Sequence, residues 1–300
     1  MSHLRSAFEE GPCGPLLRID PETCLRCGAC SDVCPQRVLV GGEGAVPSAD
    51  PAAEAFCIAC GHCAAACPAG ALSHRAASSL ASAAHPPPAE SVLAWLRGRR
   101  SVRAYRPDPV PREVLRLLLE AARAAPNGHN ARTVGCVVIE TEGERRELQR
   151  RIVAFYRKLF RAVGTPGVPA LLSLVLGSGP VRELREAAPS MARVDERLAR
   201  GEDPLFHHAP VLLLFHAPPA ETAEADCALA AGQAALLAPS LGLGTCHIGY
   251  ASAVLRRFPG LGRSAGVPRG RRAYSVLTAG YPSRGFPRVP PRPELPVRFR

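Results

Sequence analysis

Eight of the twelve cysteines in this 300-residue chain fall into two clips. Cys24, Cys27, Cys30 and Cys34 have the spacing C-x2-C-x2-C-x3-C followed by Pro35, and Cys57, Cys60, Cys63 and Cys67 repeat it before Pro68. Thiolates are soft anionic ligands, so such a run suits iron-sulfur chemistry. Three close cysteines let one tight loop wrap a cubane, and a fourth closes the cage from a separate element. Gly28 and Gly61 let each loop bend, and the prolines stop regular structure after the distant ligand. Zinc and disulfides are the competing readings, because any two-residue cysteine spacing invites a zinc site and secreted domains use cysteine frameworks. Zinc ligand sets come in fours without this triple-plus-one-plus-proline pattern. The opening residues, MSHLRSAFEE, lack the basic start and apolar stretch of a secretory signal, so a cytoplasmic location is expected. His62, inside the second clip, reads as a loop residue rather than a ligand.

The two clips match the ligand run of bacterial two-cluster ferredoxins, in which the fourth cysteine of each run serves the neighbouring cluster. That resemblance implies two 4Fe-4S clusters with crossed ligation. Cys24, Cys27, Cys30 and Cys67 would hold one, and Cys57, Cys60, Cys63 and Cys34 the other.

The elements that must carry this chemistry follow from length and pattern. Three hundred residues suggest about two domains. Residues 73–90, "SHRAASSLASAAHPPPAE", read as a linker ending in a stiff proline run. Beyond it, "PREVLRLLLEAARAA" from Pro111 has proline at a first-turn position and apolar residues at the three-and-four spacing of one helix face. Residues 144–161 and 222–241 also read as helices, while 133–140, 210–217 and 273–281 are short branched-residue runs expected to be strands. The result is an α+β or α/β domain of about 210 residues on this pattern. The uncharged run 162–181 reaches membrane-spanning length, but its glycines and prolines argue against a lipid-exposed helix. Net charge is +11, with Lys158 the only lysine among 37 basic residues. Aromatics are 5% of the chain and form no stripe with the arginines, so nucleic acid is not an expected partner. Gly242 and Gly244 open like a dinucleotide fingerprint, yet His247 stands where the third glycine belongs. No phosphate-binding P-loop, nucleophile elbow or H-E-x-x-H pair is present, which removes the cheapest support for hydrolysis or phosphoryl transfer.

"RRSVRAY", residues 99–105, gathers Arg99, Arg100, Ser101 and Arg103, a set suited to gripping a phosphate through guanidinium forks and a hydroxyl. It is followed by "AAPNGHN" at 124–130, "GLGTCHIG" at 242–249 and "GYP" at 280–282 with Arg288 and Arg292 beyond. In this order and at these separations the four motifs resemble the nitroreductase family of FMN-dependent oxidoreductases over residues 91–295. The chain as a whole resembles a fusion of a two-cluster ferredoxin domain, residues 15–75, through a linker at 76–90, to a nitroreductase-like α+β domain.

The resemblance implies that Arg99, Arg100 and Ser101 hold the FMN phosphate, with Arg288 and Arg292 approaching from the chain's end. It places Arg103 by the pyrimidine edge of the flavin, where a cation stabilises the anionic reduced ring. Asn130 would hydrogen-bond the ring edge, and Ile248 and Gly249 would pass close to it. Asn130 and Gly249 could equally serve a turn alone. Many family members carry Gln-Pro shortly after that asparagine, whereas Ala131, Arg132 and Thr133 stand here, so Arg132 becomes a candidate contact for an anionic substrate. Of the remaining cysteines, Cys136 reads as a buried hydrophobe, and Cys13, Cys227 and Cys246 lack an activating base nearby in sequence. Cys246 and His247 are neighbours in an extended segment, so they point in opposite directions.

Together these resemblances imply a homodimeric oxidoreductase. Its flavin would be loaded through the clusters by a low-potential donor such as ferredoxin, flavodoxin or NAD(P)H. It would reduce a small organic substrate such as a nitro compound, quinone or enone. The alternative from a different class is a redox carrier or sensor that exchanges electrons with partner proteins and turns over no small substrate. No motif between 150 and 205 identifies the substrate, and no side chain is assigned as a nucleophile or proton donor.

Overall fold

The computed structural model describes residues 16–77, 80–81 and 84–300. Cys13, the domain start at position 15, and linker positions 78–79 and 82–83 lie outside the described residues. The chain forms two compact units, Met1–Pro87 with Asn127–Arg132, and Pro88–Pro126 with Thr133–Arg300. Among the described residues no helix is long and apolar enough to cross a membrane.

In the first unit the order is β1 (Leu17–Ile19), α1 (Ala29–Asp32), β2 (Leu39–Val40), β3 (Ser48–Ala49), α2 (Pro51–Glu54), α3 (His62–Ala65) and β4 (Leu72–His74). β1 pairs antiparallel with β4, and β2 with β3. The repeat of the cysteine clips is a repeat of backbone. Gly28 and Gly61 both sit at φ 73°, the left-handed region, immediately before α1 and α3. A Cβ there would meet Glu43 N at 3.1 Å or Ala77 Cβ at 2.8 Å, so each loop closes tightly onto a neighbouring segment only because glycine has none.

The second unit begins with α4 (Ala89–Gly98) and α5 (Arg112–Arg123), then β5 (Gly135–Ile139), α6 (Glu142–Val163), α7 (Val168–Leu176), α8 (Ser178–Ala187), α9 (Ser190–Ala199), β6 (Val211–Ala217), α10 (Ala223–Leu237), β7 (Gly244–His247), α11 (Gly249–Arg257), α12 (Pro259–Ser264) and β8 (Arg272–Gly280). The strands form one antiparallel sheet in the order β5-β6-β8-β7. All seven residues of β6 are buried, which is why its sequence, apart from His216, is apolar on both faces rather than alternating. Val211, Leu213, Phe215 and Ala217 face one core with α5 and α10, while Leu212 and Leu214 face a second with α6 and α11. Ala223, Cys227, Ala230, Ala231, Ala234 and Ala235 make the buried side of α10 small, so this helix approaches the sheet closely.

Two boundaries differ from the sequence expectation. Residues 222–241 are not one helix: α10 ends at Leu237, and Pro239 sits in a 3-10 turn over Ala238–Leu241, because proline cannot donate the next helical hydrogen bond. Pro111 precedes the first turn of α5 rather than lying in it. The stretch 150–205, which carries no readable motif, is helical through the end of α6 and α7 to α9.

Candidate functional site

In the first unit, Cys34, Cys57, Cys60 and Cys63 line one cavity, together with Pro35, Val38 and His74. Cys24, Cys27, Cys30 and Cys67 line another, with Gly28 and Pro68. Backbone N–H groups point at the sulfurs in a repeated way. Arg26 N donates to Cys24 Sγ and Ala59 N to Cys57 Sγ, both at 3.4 Å, and Val38 N to Cys34 Sγ at 3.3 Å. Arg26 and Ala59 take left-handed φ values of 55° and 52°, a strained backbone at equivalent places in the two loops. Such donors favour thiolate over thiol. Burial opposes them, pushing the Cys63 thiol up to about 11 and raising Cys30 and Cys57, so metal binding here must release protons.

The donor chemistry fits a cubane, in which each thiolate takes a different iron. In each set four sulfurs line one cavity. His62 is exposed at the start of α3, whereas His74 at the end of β4 is 2% exposed, with Nε2 3.6 Å from Cys57 Sγ. Burial first, then Arg75 and Arg132, hold His74 below the ordinary histidine range. His74 was invisible to motif reading because it lies outside both clips.

Asn130 belongs to the segment Asn127–Arg132, which is part of this first unit. His129, Asn130 and Arg132 all have left-handed φ, and Asn127 Oδ1 accepts from Arg132 N at 2.9 Å. Asn130 Nδ2 donates to the carbonyls of Ile58 and Ala59 at 2.9 and 3.0 Å, and its Oδ1 accepts from Arg132 Nε at 3.3 Å. The amide donor that the resemblance assigns to the flavin edge is therefore engaged with the loop of the second clip, and Arg132 with Asn130.

In the second unit, tertiary structure assembles three of the four motifs. Trp95 Nε1 donates to Leu236 O at 2.9 Å, tying α4 to the end of α10 and delivering Arg99 and Arg100 just past the helix. Ser101 then bridges in parallel to Thr245 of β7, with Val102 N donating to Thr245 O at 2.9 Å. Gly244 permits this approach, since a Cβ would lie 2.4 Å from Val102 Cγ2. On the other side Arg106 N donates to Tyr281 O at 2.8 Å and Ser283 N to Ala104 O at 2.9 Å, while Tyr105 hydroxyl reaches Val102 O and Thr278 Oγ1, each at 2.7 Å. "RRSVRAY" is thus clasped between "GLGTCHIG" and "GYP".

Arg99 Nη1 and Arg100 Nε are buried with no hydrogen-bond partner among the described residues, although Arg100 also reaches Arg97 O. A buried guanidinium nitrogen without an acceptor is costly, and a bound phosphate removes that cost. The residues present therefore fit FMN. Ile248 is buried and donates from its backbone to Val276 O at 2.9 Å, and Gly249 opens α11 with nothing within 4 Å of a notional Cβ. Arg103 is exposed. Arg288 and Arg292 are exposed in the irregular segment after β8 and, among the described residues, form no hydrogen bond or ion pair.

A profile of the nitroreductase family matches residues 96–281. The chain belongs to the nitroreductase family. A 4Fe-4S dicluster domain profile matches residues 16–68, so this nitroreductase carries a ferredoxin-type domain ahead of its family domain. An NADH dehydrogenase of Thermus thermophilus is 29% identical over 198 residues, 63% of this chain and 86% of that protein. Among solved structures, an FMN-bound nitroreductase of Bacteroides fragilis is 24% identical, with a TM-score of 0.52, over 69% of this chain and 97% of its own. An oxidised iodotyrosine deiodinase bound to FMN and 3-iodo-L-tyrosine is 22% identical, with a TM-score of 0.50, over 70% of this chain and 98% of its own. These structural likenesses show the α+β fold. Family membership makes the chain an FMN-dependent oxidoreductase.

The remaining thiols of the nitroreductase unit are poor nucleophiles by environment. Burial pushes Cys136 and Cys227 up to about 12. Cys246 is buried while His247 beside it is exposed, the two side chains of neighbouring strand residues pointing to opposite faces. Motif reading also passed over His207. Asp203 accepts from the backbone of Leu205, Phe206 and His208, folding residues 203–208 into a tight loop in which His207 has φ 60°. Desolvation lowers the His207 pKa and Asp203 raises it, and Arg103 is close enough to lower it further.

Proposed function

We propose that this chain reduces a small organic acceptor, such as a nitro compound, quinone or enone, with electrons from a low-potential donor. Cys24, Cys27, Cys30 and Cys67 hold one 4Fe-4S cluster and Cys57, Cys60, Cys63 and Cys34 the other, while Arg99, Arg100 and Ser101 anchor the FMN phosphate. The cofactors supply the redox chemistry: clusters pass electrons singly, and flavin accepts them singly and delivers a pair. The chain's own residues supply charge and position. Arg103 contributes positive charge that favours an anionic reduced ring, Ile248 and Gly249 line the approach to it, and Arg288 and Arg292 add basic charge from the tail. Asn130 steadies the loop of the second clip, and the place of Arg132 is beside it. The donor is a reduced ferredoxin, a flavodoxin or NAD(P)H, and the working form is a cytoplasmic homodimer.

One observation carries this reading: two four-thiol cavities and an arginine pair with unsatisfied buried nitrogens occur in one nitroreductase chain. Anaerobic purification with iron, sulfide and flavin quantified tests it. The expected result is iron and sulfide for two cubanes and one flavin per chain, with reduced protein reoxidised rapidly by a nitroaromatic or a quinone. Zinc in place of iron, or a flavin that stays oxidised after the clusters are reduced, overturns it. Flavin reduction that no small acceptor reverses would instead identify an electron carrier.

A further inference from the structure

The two thiol sites are not equivalent: the site of Cys34, Cys57, Cys60 and Cys63 has a backbone donor, Val38 N, at Cys34 Sγ, and it also has a side-chain donor. His74 stands seven residues after Cys67, and the residue seven after Cys34, its counterpart in the first clip, is Gly41, which has no side chain. Both ring nitrogens of His74 are engaged. Ala76 N lies 2.9 Å from Nδ1, and because a backbone N–H can only donate, Nδ1 must carry the lone pair. In the neutral ring the proton is then on Nε2, which faces Cys57 Sγ at 3.6 Å. Among the described residues Cys57 thus receives two donors, from Ala59 N and from His74, whereas its counterpart Cys24 receives one, from Arg26 N.

We propose that His74 is a positioning residue whose Nε2–H···Sγ bond to Cys57 raises the reduction potential of the cluster held by Cys34, Cys57, Cys60 and Cys63. This rests on the two-cluster reading above. Reduction adds one negative charge that is shared with the ligand sulfurs, so a fixed donor at one of them stabilises the reduced form more than the oxidised form. An external donor supplies the electron, no bond breaks, and the ring proton stays on Nε2. The unequal pair gives the module a direction, with the electron resting on the His74 side.

The test is a spectroscopically monitored dithionite titration of the anaerobically purified full chain. Wild type should show two cluster transitions. Asparagine at this position can keep an acceptor for Ala76 N but is too short to reach the sulfur, so His74→Asn should retain iron and sulfide while one transition shifts to lower potential. The expected shift is about tenfold in the oxidised-to-reduced ratio at fixed poise, or about 59 mV for one electron. The other transition should stay in place, and His74→Gln, long enough to donate, should recover most of the shift. Two unmoved transitions in His74→Asn with iron retained overturn the role of His74 while leaving the two-cluster reading intact. A wild-type protein without iron and sulfide overturns both. Should His74→Asn lose iron, nitrogen-15-labelled histidine in a His62→Ala background decides: a nitrogen coupling to the reduced cluster supports the contact, and its absence overturns it.

Discussion

The apolar cluster of the first unit consists of Leu39, Cys63, Ala64 and Leu72, with Leu17, Ile19, Cys30 and Cys67 packed against it. Three of those eight residues are proposed metal ligands. The second unit instead buries two separate clusters on the two faces of its sheet, and none of Arg99, Arg100 or Ser101 belongs to either. In the first unit the site is the core, while in the second the site rests on a core that exists without it. A small unit with so little apolar burial cannot offset chain entropy of about 1–2 kcal/mol per residue unless ligand bonds contribute. The sheet unit can.

The sharpest test of that contrast is removal of the metal. Anaerobic chelation should unfold the first unit, seen as rapid proteolysis within 16–77, while the second keeps a cooperative thermal transition and its flavin. Equal protection of both units after iron loss would break the comparison. A smaller effect is expected from Gly244→Val, which forces a side chain into Val102. Overpacking of about 1–3 kcal/mol should separate Ser101 from β7 and weaken FMN binding on the order of tenfold to a hundredfold. Flavin fluorescence on dilution reads this, and iron content should not change.

The smallest effect concerns acid. His216 in β6 is 6% exposed and accepts from Arg271 Nε at 2.7 Å through Nδ1, so it is neutral in the fold. Burial first, and then Arg271, lower its pKa. The unfolded chain therefore binds the proton more readily, so this contribution is complete above about pH 6.5 and is lost as pH falls through the lower folded value. His216→Gln, which keeps an acceptor for Arg271, should make the melting temperature of the second unit fall less steeply between pH 7 and pH 5. An unchanged slope would show that other groups govern acid stability there.

The sequence by itself determined whatever is written in contiguous spacing: both cysteine clips, the positive-φ glycines that open α1 and α3, and the helix and strand character of α5, α6, β6 and β8, while the choice between α+β and α/β waited for the antiparallel pairing of the strands. Such features rest on interactions within a few residues, or on a periodicity that one face must obey. Only tertiary structure decided that Arg99 and Arg100 end with unpaired buried nitrogens, because the segment that carries them is held by α10 through Trp95 and by β7 through Ser101 and Val102, more than a hundred residues away. The placement of Asn130 against Ile58 and Ala59 and of His74 against Cys57 was equally out of reach. A short polar residue has the same local propensities wherever it is aimed, and its partner is chosen by the packing of chain segments that sequence spacing does not encode.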